Sequence, residues 1–411
     1  MSGQGDDRGR LSRVLRVRTA SEGDAVTTLE LFFDLVFVFA FTQVTFLMAH
    51  GEPPVSILQG GVVLALLWWS WSSFAWLGNQ AHANEGLLRA ALIVAMAAVF
   101  VLSLTIPEAF HDLPGGLYAP LVFAGCYAVV RLVHLSTYLI AAGRDVALRR
   151  QVLLSLTTSA LPSIVLLIVG ALVDEQWRLV AWTAAVIVDL LAIYVTSNVG
   201  GSWRLQSAAH FTERHRLVVI LALGESIVAI GVGVSLDPIT ASIVIGSLLA
   251  MGLSVALWWA YFQRIADDAE HLLERVDGAA RAKLASDGYT YLHLPIVFGI
   301  ILTALGIEEV MAHLDEDHLG WFGASALAAG VALFLAFTGV FWLRMSKAVL
   351  AARFACAVVV AAAIPLWSAL PGLWSLGGVL SLVSILAVVE SWPTPGPDAS
   401  AADSSSTQGE G

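Results

Sequence analysis

The chain has 411 residues, of which 58% are hydrophobic and only 13% are charged, and its formal net charge is −11. Soluble domains carry about 25% charged residues, so this chain has too few polar side chains to cover a water-exposed globule. The composition excludes an ordinary soluble protein and predicts an all-α, polytopic membrane protein. Nucleic-acid binding has no support, because the five arginines among the first 18 residues precede an apolar span, where such charges set topology or contact anionic lipid.

Residues 1–26 are predicted to form a basic, flexible arm, and residues 391–411 a disordered acidic tail. Residues 27–390 form the transmembrane domain, which contains twelve apolar segments of spanning length. A span needs about 20 residues, because a helix rises about 1.5 Å per residue through a hydrocarbon core of about 30 Å. The predicted spans are 29–49, 57–78, 87–106, 117–142, 152–173, 179–197, 216–234, 241–263, 289–311, 320–343, 349–370 and 374–390, of which the last is short.

The positive charges predict an orientation for these spans. With a cytoplasmic N-terminus, all but two of the 21 Lys and Arg residues fall in inside segments, counting the inside ends of spans where Arg89, Arg216 and Arg353 lie. Arg178 falls outside and Arg131 falls deep within a span. The positive-inside rule then places both termini in the cytoplasm, in a cytoplasmic membrane. The longest inside loop, 264–288, is predicted to be a charged linker helix.

The first span begins with a capping box and carries two acids. Thr27 precedes Glu30 by three residues, and Asp34 follows at i+4, on the same helix face, within ELFFDLVFVFA. A carboxylate inside a membrane needs a partner, a proton or a water-filled pocket. Glu30 is explained either by capping or by a site, and Asp34 either by a structural salt bridge or by transport.

Three segments resemble those of a known family. ELFFDLVFVFA resembles the opening signature of the bacterial low temperature requirement A family of membrane proteins. HRLVVILALGESIVAIG at 215–231, centred on Gly224-Glu225-Ser226, is similar to its second landmark, and YLHLPIVFGIILTALGIEEV at 291–310 to its third. The resemblance covers roughly residues 25–390. It implies a membrane protein connected with growth in the cold but no particular reaction.

Ionisable residues within the spans are the candidate substrate-binding or proton-binding groups. They are Glu225, Asp34, Arg131, Asp189, His134, His293 and Glu30. Glu225, Asp189, Arg131 and His134 share one predicted depth, about 12–16 Å from the cytoplasmic ends of their spans. Arg131 keeps its proton, so we expect it to meet Glu225 or Asp189, with Asp34 as a third choice. The midplane groups are expected to line one shared, wet cavity.

Structural alternatives exist for these groups. The Arg131 pair is equally well explained as a static link between helices, and buried histidines such as His134 and His293 are often satisfied core residues. For Glu225 the sequence favours a functional role over a structural one. It is flanked by Gly224 and Ser226, small residues that are expected to allow close helix approach.

A faint internal repeat predicts two halves, 27–198 and 211–390. Trp68-Trp69 is echoed by Trp258-Trp259, and Pro162 by Pro365. Six spans are an even number, so both halves point the same way and are related by an axis along the membrane normal. Interfacial anchoring is the alternative explanation of the tryptophan pairs.

The intramembrane acids favour a proton- or ion-coupled transporter that moves a small solute. The alternatives are a membrane-embedded enzyme acting on lipids or isoprenoids, and a non-catalytic scaffold surrounded by membrane lipids. No cofactor or metal site is predicted, because metal-ligand and phosphate-loop spacings are missing from the sequence. One polar inside loop carries a group of residues that an enzyme could use: Asn79, His82, Asn84 and Glu85.

Overall fold

The structure is a computed structural model that describes residues 26–80, 86–200, 203–234 and 238–391. In these ranges every regular element is helical. The long helices are α1 (Thr28–His50), α2 (Val55–Gln80), α3 (Gly86–Leu104), α4 (Ala119–Ala141), α5 (Val146–Leu172), α6 (Glu175–Gly200), α7 (Ala208–Gly233), α8 (Ala241–Tyr261), α9 (His293–Ala312), α10 (Gly320–Ser346), α11 (Ala351–Ala362) and α12 (Gly372–Ser391). The predicted arm up to Ala25, the loop residues His82, Asn84 and Glu85, and the tail after Ser391 lie outside the described residues.

Each predicted span coincides with one of these helices, so the polytopic helical bundle is confirmed. Among the described residues, ten helices are long and apolar enough to cross a membrane. Two apolar helices are shorter, Leu88–Leu104 in α3 and Ala351–Ala362 in α11, so the count of twelve spans is not confirmed. α11 ends at Ala362, and a separate helix, Ile364–Ala369, begins with Pro365 in its first turn. The short twelfth segment is a full helix of 20 residues.

The predicted linker helix at 264–288 is divided in the structure. It contains the short helices Asp267–Glu274 and Gly278–Ala285. A π-helical segment, Ser286–Tyr291, then leads into α9.

The helices pack in the same order in both halves of the chain. In the first half α1 packs on α2 and α3, and the series α3, α4, α5, α6 continues pairwise until α6 contacts α2. In the second half α7 packs on α8 and α9, and the series α9, α10, α11, α12 continues until α12 contacts α8. This shared order supports the predicted repeat. The tryptophan pairs do not match in environment, because Trp68 and Trp69 are buried whereas Trp258 and Trp259 are exposed.

The two halves meet where α1 and α2 contact α7 and α9. One face of α1 turns inward with Phe33, Phe37 and Phe41, while Phe32 and Leu35 on the opposite face are more than half exposed. Such an outward apolar face suits lipid rather than water. The inward face of α1 therefore carries its two acids into the interface between the halves.

Candidate functional site: a buried charge network between the halves

Arg214 of α7 lies between the two acids of α1. Its Nη1 donates to Glu30 Oε1 at 3.0 Å, and its Nη2 donates to Asp34 Oδ1 at 2.6 Å. All three side chains are at most 1% exposed. A buried ion pair is tolerated only when geometry and hydrogen bonds are good, and here one guanidinium uses separate nitrogens for two carboxylates.

Local structure fixes the two carboxylates. The capping box is present, and both the backbone N–H and the hydroxyl of Thr27 donate to Glu30 Oε2 at 2.9 Å. The Trp71 indole donates to Asp34 Oδ1 at 2.8 Å, and the Arg214 guanidinium lies 5.5 Å from a ring centroid of Trp71. Glu30 thus acts both as a cap and as part of the network, so its two sequence interpretations are not exclusive.

Charge in this network is not balanced by Arg214 alone. Two carboxylates face one guanidinium, and His210 Nε2 lies 3.4 Å from Glu30 Oε2. Asp34 Oδ2 is buried and has no hydrogen-bond partner among the described residues. With both carboxylates and Arg214 ionised, these three groups sum to −1, so a proton on Asp34 or a bound cation would make the site neutral.

Arg214 was missed by the sequence reasoning, which assigned it to an inside loop and offered Arg131 as a partner for Asp34. In the structure α7 begins at Ala208, with Ser207 as its N-cap, rather than at residue 216. Arg353, counted at the inside end of the span 349–370, is likewise buried and pairs with Glu390. For Arg214 the sequence did contain one indication. The spacing of His210 and Arg214 places both side chains on one helix face.

A second network surrounds Arg131 of α4. Arg131 Nη2 donates to Asp189 Oδ1 at 2.8 Å, so one of its two preferred partners is found. Tyr127 donates to the other carboxylate oxygen of Asp189 at 2.6 Å, and Ser159, on a π-helical turn of α5, donates to Oδ1. Arg131 Nη1 also donates to Ser73 at 2.9 Å. This compact arrangement links α2, α4, α5 and α6 and fits the structural reading of the pair.

Glu225 lies apart from both networks. Its Oε2 accepts a hydrogen bond of 2.7 Å from Thr42 of α1, and the residue is 1% exposed. No ion pair to Glu225 occurs in the described part of the chain. Gly224 does not serve close helix packing, because a Cβ there would meet nothing within 4 Å.

The two candidate histidines differ. His293 is satisfied, since its Nδ1 lies 2.9 Å from the carbonyl oxygen of Gly288 and its Nε2 lies 2.8 Å from the Tyr261 hydroxyl. His134 is buried with neither nitrogen hydrogen-bonded within the described residues. A third histidine, His215, was missed; its Nε2 is also unpartnered there, and its ring lies 5.5 Å from that of His293.

The expectation of one shared cavity is wrong. Arg131 and His134 line a cavity of about 230 Å³, but Asp189, Glu225 and Asp34 do not line it. Sequence position fixes the depth of a residue along its helix, whereas the direction of its side chain depends on how the helices are rotated. Asp189 therefore pairs with Arg131 on α4, whereas Glu225 bonds Thr42 on α1. Within the described ranges, no group of three or more His, Cys, Asp or Glu residues could hold a metal ion.

Comparison with known proteins places this architecture among bacterial membrane proteins. A family model described as "Bacterial low temperature requirement A protein (LtrA)" matches residues 25–389. The chain is also 31% identical over 333 residues to an uncharacterized protein of Rhizobium meliloti (strain 1021), and the match covers 78% of each chain. The family match includes the helices that carry the two networks and Glu225.

Proposed function

The chain belongs to the bacterial low temperature requirement A family, and from this premise we propose that it is a proton- or cation-coupled transporter of a small solute. It is an integral membrane protein, and the proposal places it in the cytoplasmic membrane with both termini inside. The observation that carries the proposal is Glu225, a buried carboxylate in α7 for which the described residues offer a hydroxyl but no cation.

An ionised Glu225 is costly at its position. It lies eight residues before the end of α7 at Gly233, which is about 12 Å along the helix axis. An ionised side chain at the bilayer centre costs about 2.5–3.5 kcal/mol on insertion scales. One hydrogen bond from Thr42 offsets only part of that cost. Glu225 therefore holds a proton or a cation for much of the cycle.

The Arg214 network supplies a second exchange point on the same pair of helices. Thr42 and Asp34 are both on α1, eight residues apart, so the two sites are about 12 Å apart along the helix. A proton or cation that reaches Asp34 weakens its attraction to Arg214. Because Asp34 and Arg214 belong to different halves, this change alters the contact between them.

The location between the halves supports coupling. Coupling-ion sites in transporters built from repeats lie at the repeat interface, and one half moves against the other around them. Glu30, Asp34 and Thr42 are contributed by the first half, while Arg214 and Glu225 come from the second. Binding and release of a proton or cation at these carboxylates therefore shifts the equilibrium between the two arrangements of the halves.

Proteoliposomes test the proposal without a known substrate. Vesicles with and without the protein are incubated in a bacterial metabolite extract, with an inward proton or sodium gradient or with none, and their contents are compared by mass spectrometry. We expect gradient-dependent accumulation of a solute by the unchanged protein and by Glu52→Gln, which alters an exposed loop acid. Vesicles with Glu225→Gln are expected to show no gradient-dependent accumulation. Equal contents in all vesicles would reject the transporter.

A further inference from the structure

Glu308 is a further buried carboxylate that belongs to neither charge network. It lies on α9, four residues before the helix ends at Ala312, and 9% of its surface is exposed. Within the described part of the chain, its carboxylate has neither a hydrogen bond nor an ion pair. A buried carboxylate without such a partner needs a proton or contact with water.

The helices α7 and α9 run parallel in a register that two contacts fix. The rings of His215 on α7 and His293 on α9 are 5.5 Å apart. Further along, a Cβ on Gly233 of α7 would lie 2.7 Å from the Cβ of Met311 on α9. Both pairs are 78 positions apart in the sequence. A residue of α7 therefore lies level with the residue 78 positions later on α9.

In this register Glu308 lies just beyond Glu225. Glu225 is level with Thr303, and Glu308 follows five residues later, which is about 8 Å along the axis. The two carboxylates are close enough to repel each other when both are ionised. A short chain of water molecules, with about 2.8 Å between successive oxygens, would span this gap.

Beyond Glu308 the helix ends carry further titratable groups with more exposure. Glu309 follows directly, and its carboxylate lies 3.7 Å from Nδ1 of His313, whose side chain is 40% exposed. His50, at the exposed end of α1, is close enough to Glu308 and Glu309 to interact with both electrostatically. Proton relays in transporters are built from such chains of Glu and His. In the proposed orientation these groups lie at the outer side of the membrane.

In the opposite direction, apolar side chains separate Glu225 from the Arg214 network. Arg214 lies eleven residues earlier on α7, which is about 16 Å along the axis. The side chains in between are at most 1% exposed, and they are Phe37 and Phe41 of α1 and Val218, Val219 and Ala222 of α7. Apolar side chains offer neither a hydrogen-bond donor nor an acceptor to pass a proton. The shorter and more polar route from Glu225 therefore leads toward Glu308.

We propose that Glu308 relays protons between the outer side of the membrane and Glu225. A proton from the outer water binds the carboxylate of Glu308, passes through bridging water to the carboxylate of Glu225, and leaves Glu308 ionised for the next proton. The arrangement of the halves seen here is then the one in which Glu225 exchanges with the outer side. This inference rests on the proposed function and narrows it, because it names the proton as the coupling ion.

Hydrogen exchange at the carboxyl group of Glu225 tests the relay without a transported solute. Infrared spectroscopy of the reconstituted full-length protein follows the C=O band of the protonated carboxyl, which is identified by its loss in Glu225→Gln. After a switch from H2O to D2O, this band shifts as a deuteron replaces the proton. We expect Glu308→Gln to slow the shift at least tenfold, and Glu308→Asp, which keeps a carboxyl group, to slow it less than threefold. Asp317→Asn alters an exposed acid of the next loop and should exchange as the unchanged protein does.

Formate separates a relay from a structural role of Glu308. A small weak acid carries protons into a gap left by a missing carboxyl group, so formate should restore fast exchange in Glu308→Gln. Failure of formate to restore it assigns Glu308 a structural role and overturns the relay.

Two further results overturn the relay. One is exchange at the unchanged rate in Glu308→Gln, and the other is the absence of a protonated Glu225 band at every pH, which leaves a transporter coupled to another cation. Gradient-dependent solute accumulation together with unchanged exchange in Glu308→Gln rejects the relay alone. Slow exchange in that variant, without solute accumulation by the unchanged protein, rejects the transporter alone.

Discussion

Arg214 is the residue on which the interface between the halves depends most. It is fully buried, and it is the cation within reach of both Glu30 and Asp34 in the described structure. Removing one partner from a buried ion pair costs about 3–5 kcal/mol, because the remaining charge is left uncompensated. We expect Arg214→Gln to lose stability by that amount, measured as thermal or denaturant unfolding of the detergent-solubilised protein.

Two comparisons make this prediction specific. Arg204→Gln alters an arginine that is 68% exposed and lies 3.6 Å from Asp145, and exposed pairs are worth about 0–1 kcal/mol. A triple variant with Glu30→Gln, Asp34→Asn and Arg214→Gln removes the orphaned charges and should recover part of the loss. Equal stability of Arg214→Gln and Arg204→Gln would show that the network is not a buried ion cluster.

Gly78 provides a second test at the scale of single residues. A Cβ at this position would lie 2.5 Å from Glu30 Oε1, whereas a Cβ at Gly224 would meet nothing within 4 Å. Overpacking typically costs about 1–3 kcal/mol. We expect Gly78→Ala to destabilise the protein by that amount in the same unfolding assay and Gly224→Ala to leave it within about 0.5 kcal/mol of the unchanged protein. Reversal of this order would contradict the placement of Glu30 against α2.

Single-residue chemistry was partly predictable from the sequence. The capping box of Thr27 and Glu30, the need of Asp34 for a partner and the need of Arg131 for an acid all follow from local spacing and the cost of a buried charge. The sequence left the acid open between Glu225 and Asp189, and Asp189 is the one found. The identity of the partner of Asp34 did not follow. A polar turn at the start of α7 has the hydropathy of a loop, although in the structure its polar side chains face the interior.

Among the helices, the register of α1 against α7 sets the contacts that the proposed site requires. Glu30 pairs with Arg214 near the start of both helices, and Thr42 bonds Glu225 further along both. The two helices therefore run parallel, as the first spans of two equally oriented halves must. Parallel neighbours that are distant in the sequence cannot be recognised from periodicity, because α1 and α7 show nearly uniform hydrophobicity around their circumference.

Cysteine cross-linking tests this register. With Cys126 and Cys356 replaced by Ala, the pair Thr42→Cys and Glu225→Cys should react with a short bifunctional reagent, because the hydroxyl of Thr42 lies 2.7 Å from the carboxylate of Glu225. The pair Thr42→Cys and Val218→Cys should not, since Val218 lies seven residues earlier on α7, about 10 Å along the axis. Cross-linking of the second pair but not the first would place α7 in another register.

For the whole molecule, the sequence left the number of membrane-crossing helices undetermined. Hydropathy located all twelve helical segments, yet α3 and α11 are shorter than a full span. The positive-inside pattern assumes that both cross. The arrangement of the two halves, in which the same helix order recurs, gives α3 and α11 positions within the packed series and favours crossing by both.

Labelling with a membrane-impermeant thiol reagent determines whether α3 crosses the membrane. In a background without the native cysteines, Arg144→Cys, after α4, should react only from the cytoplasmic side. Leu117→Cys, before α4 and 80% exposed, should react only from the outer side. If α3 did not cross the membrane, Arg144→Cys would react only from the outer side and Leu117→Cys only from the cytoplasmic side.

The proposed transporter requires that Glu225 exchange a proton or a cation from its buried site between the halves. Dicyclohexylcarbodiimide enters membranes and modifies protonated carboxyl groups there, so peptide mass spectrometry of the treated, reconstituted protein reads the state of Glu225 directly. We expect modification at Glu225 that decreases as the pH or the concentration of the coupling cation rises. Glu225 that stays unmodified at every pH and in every salt would contradict it.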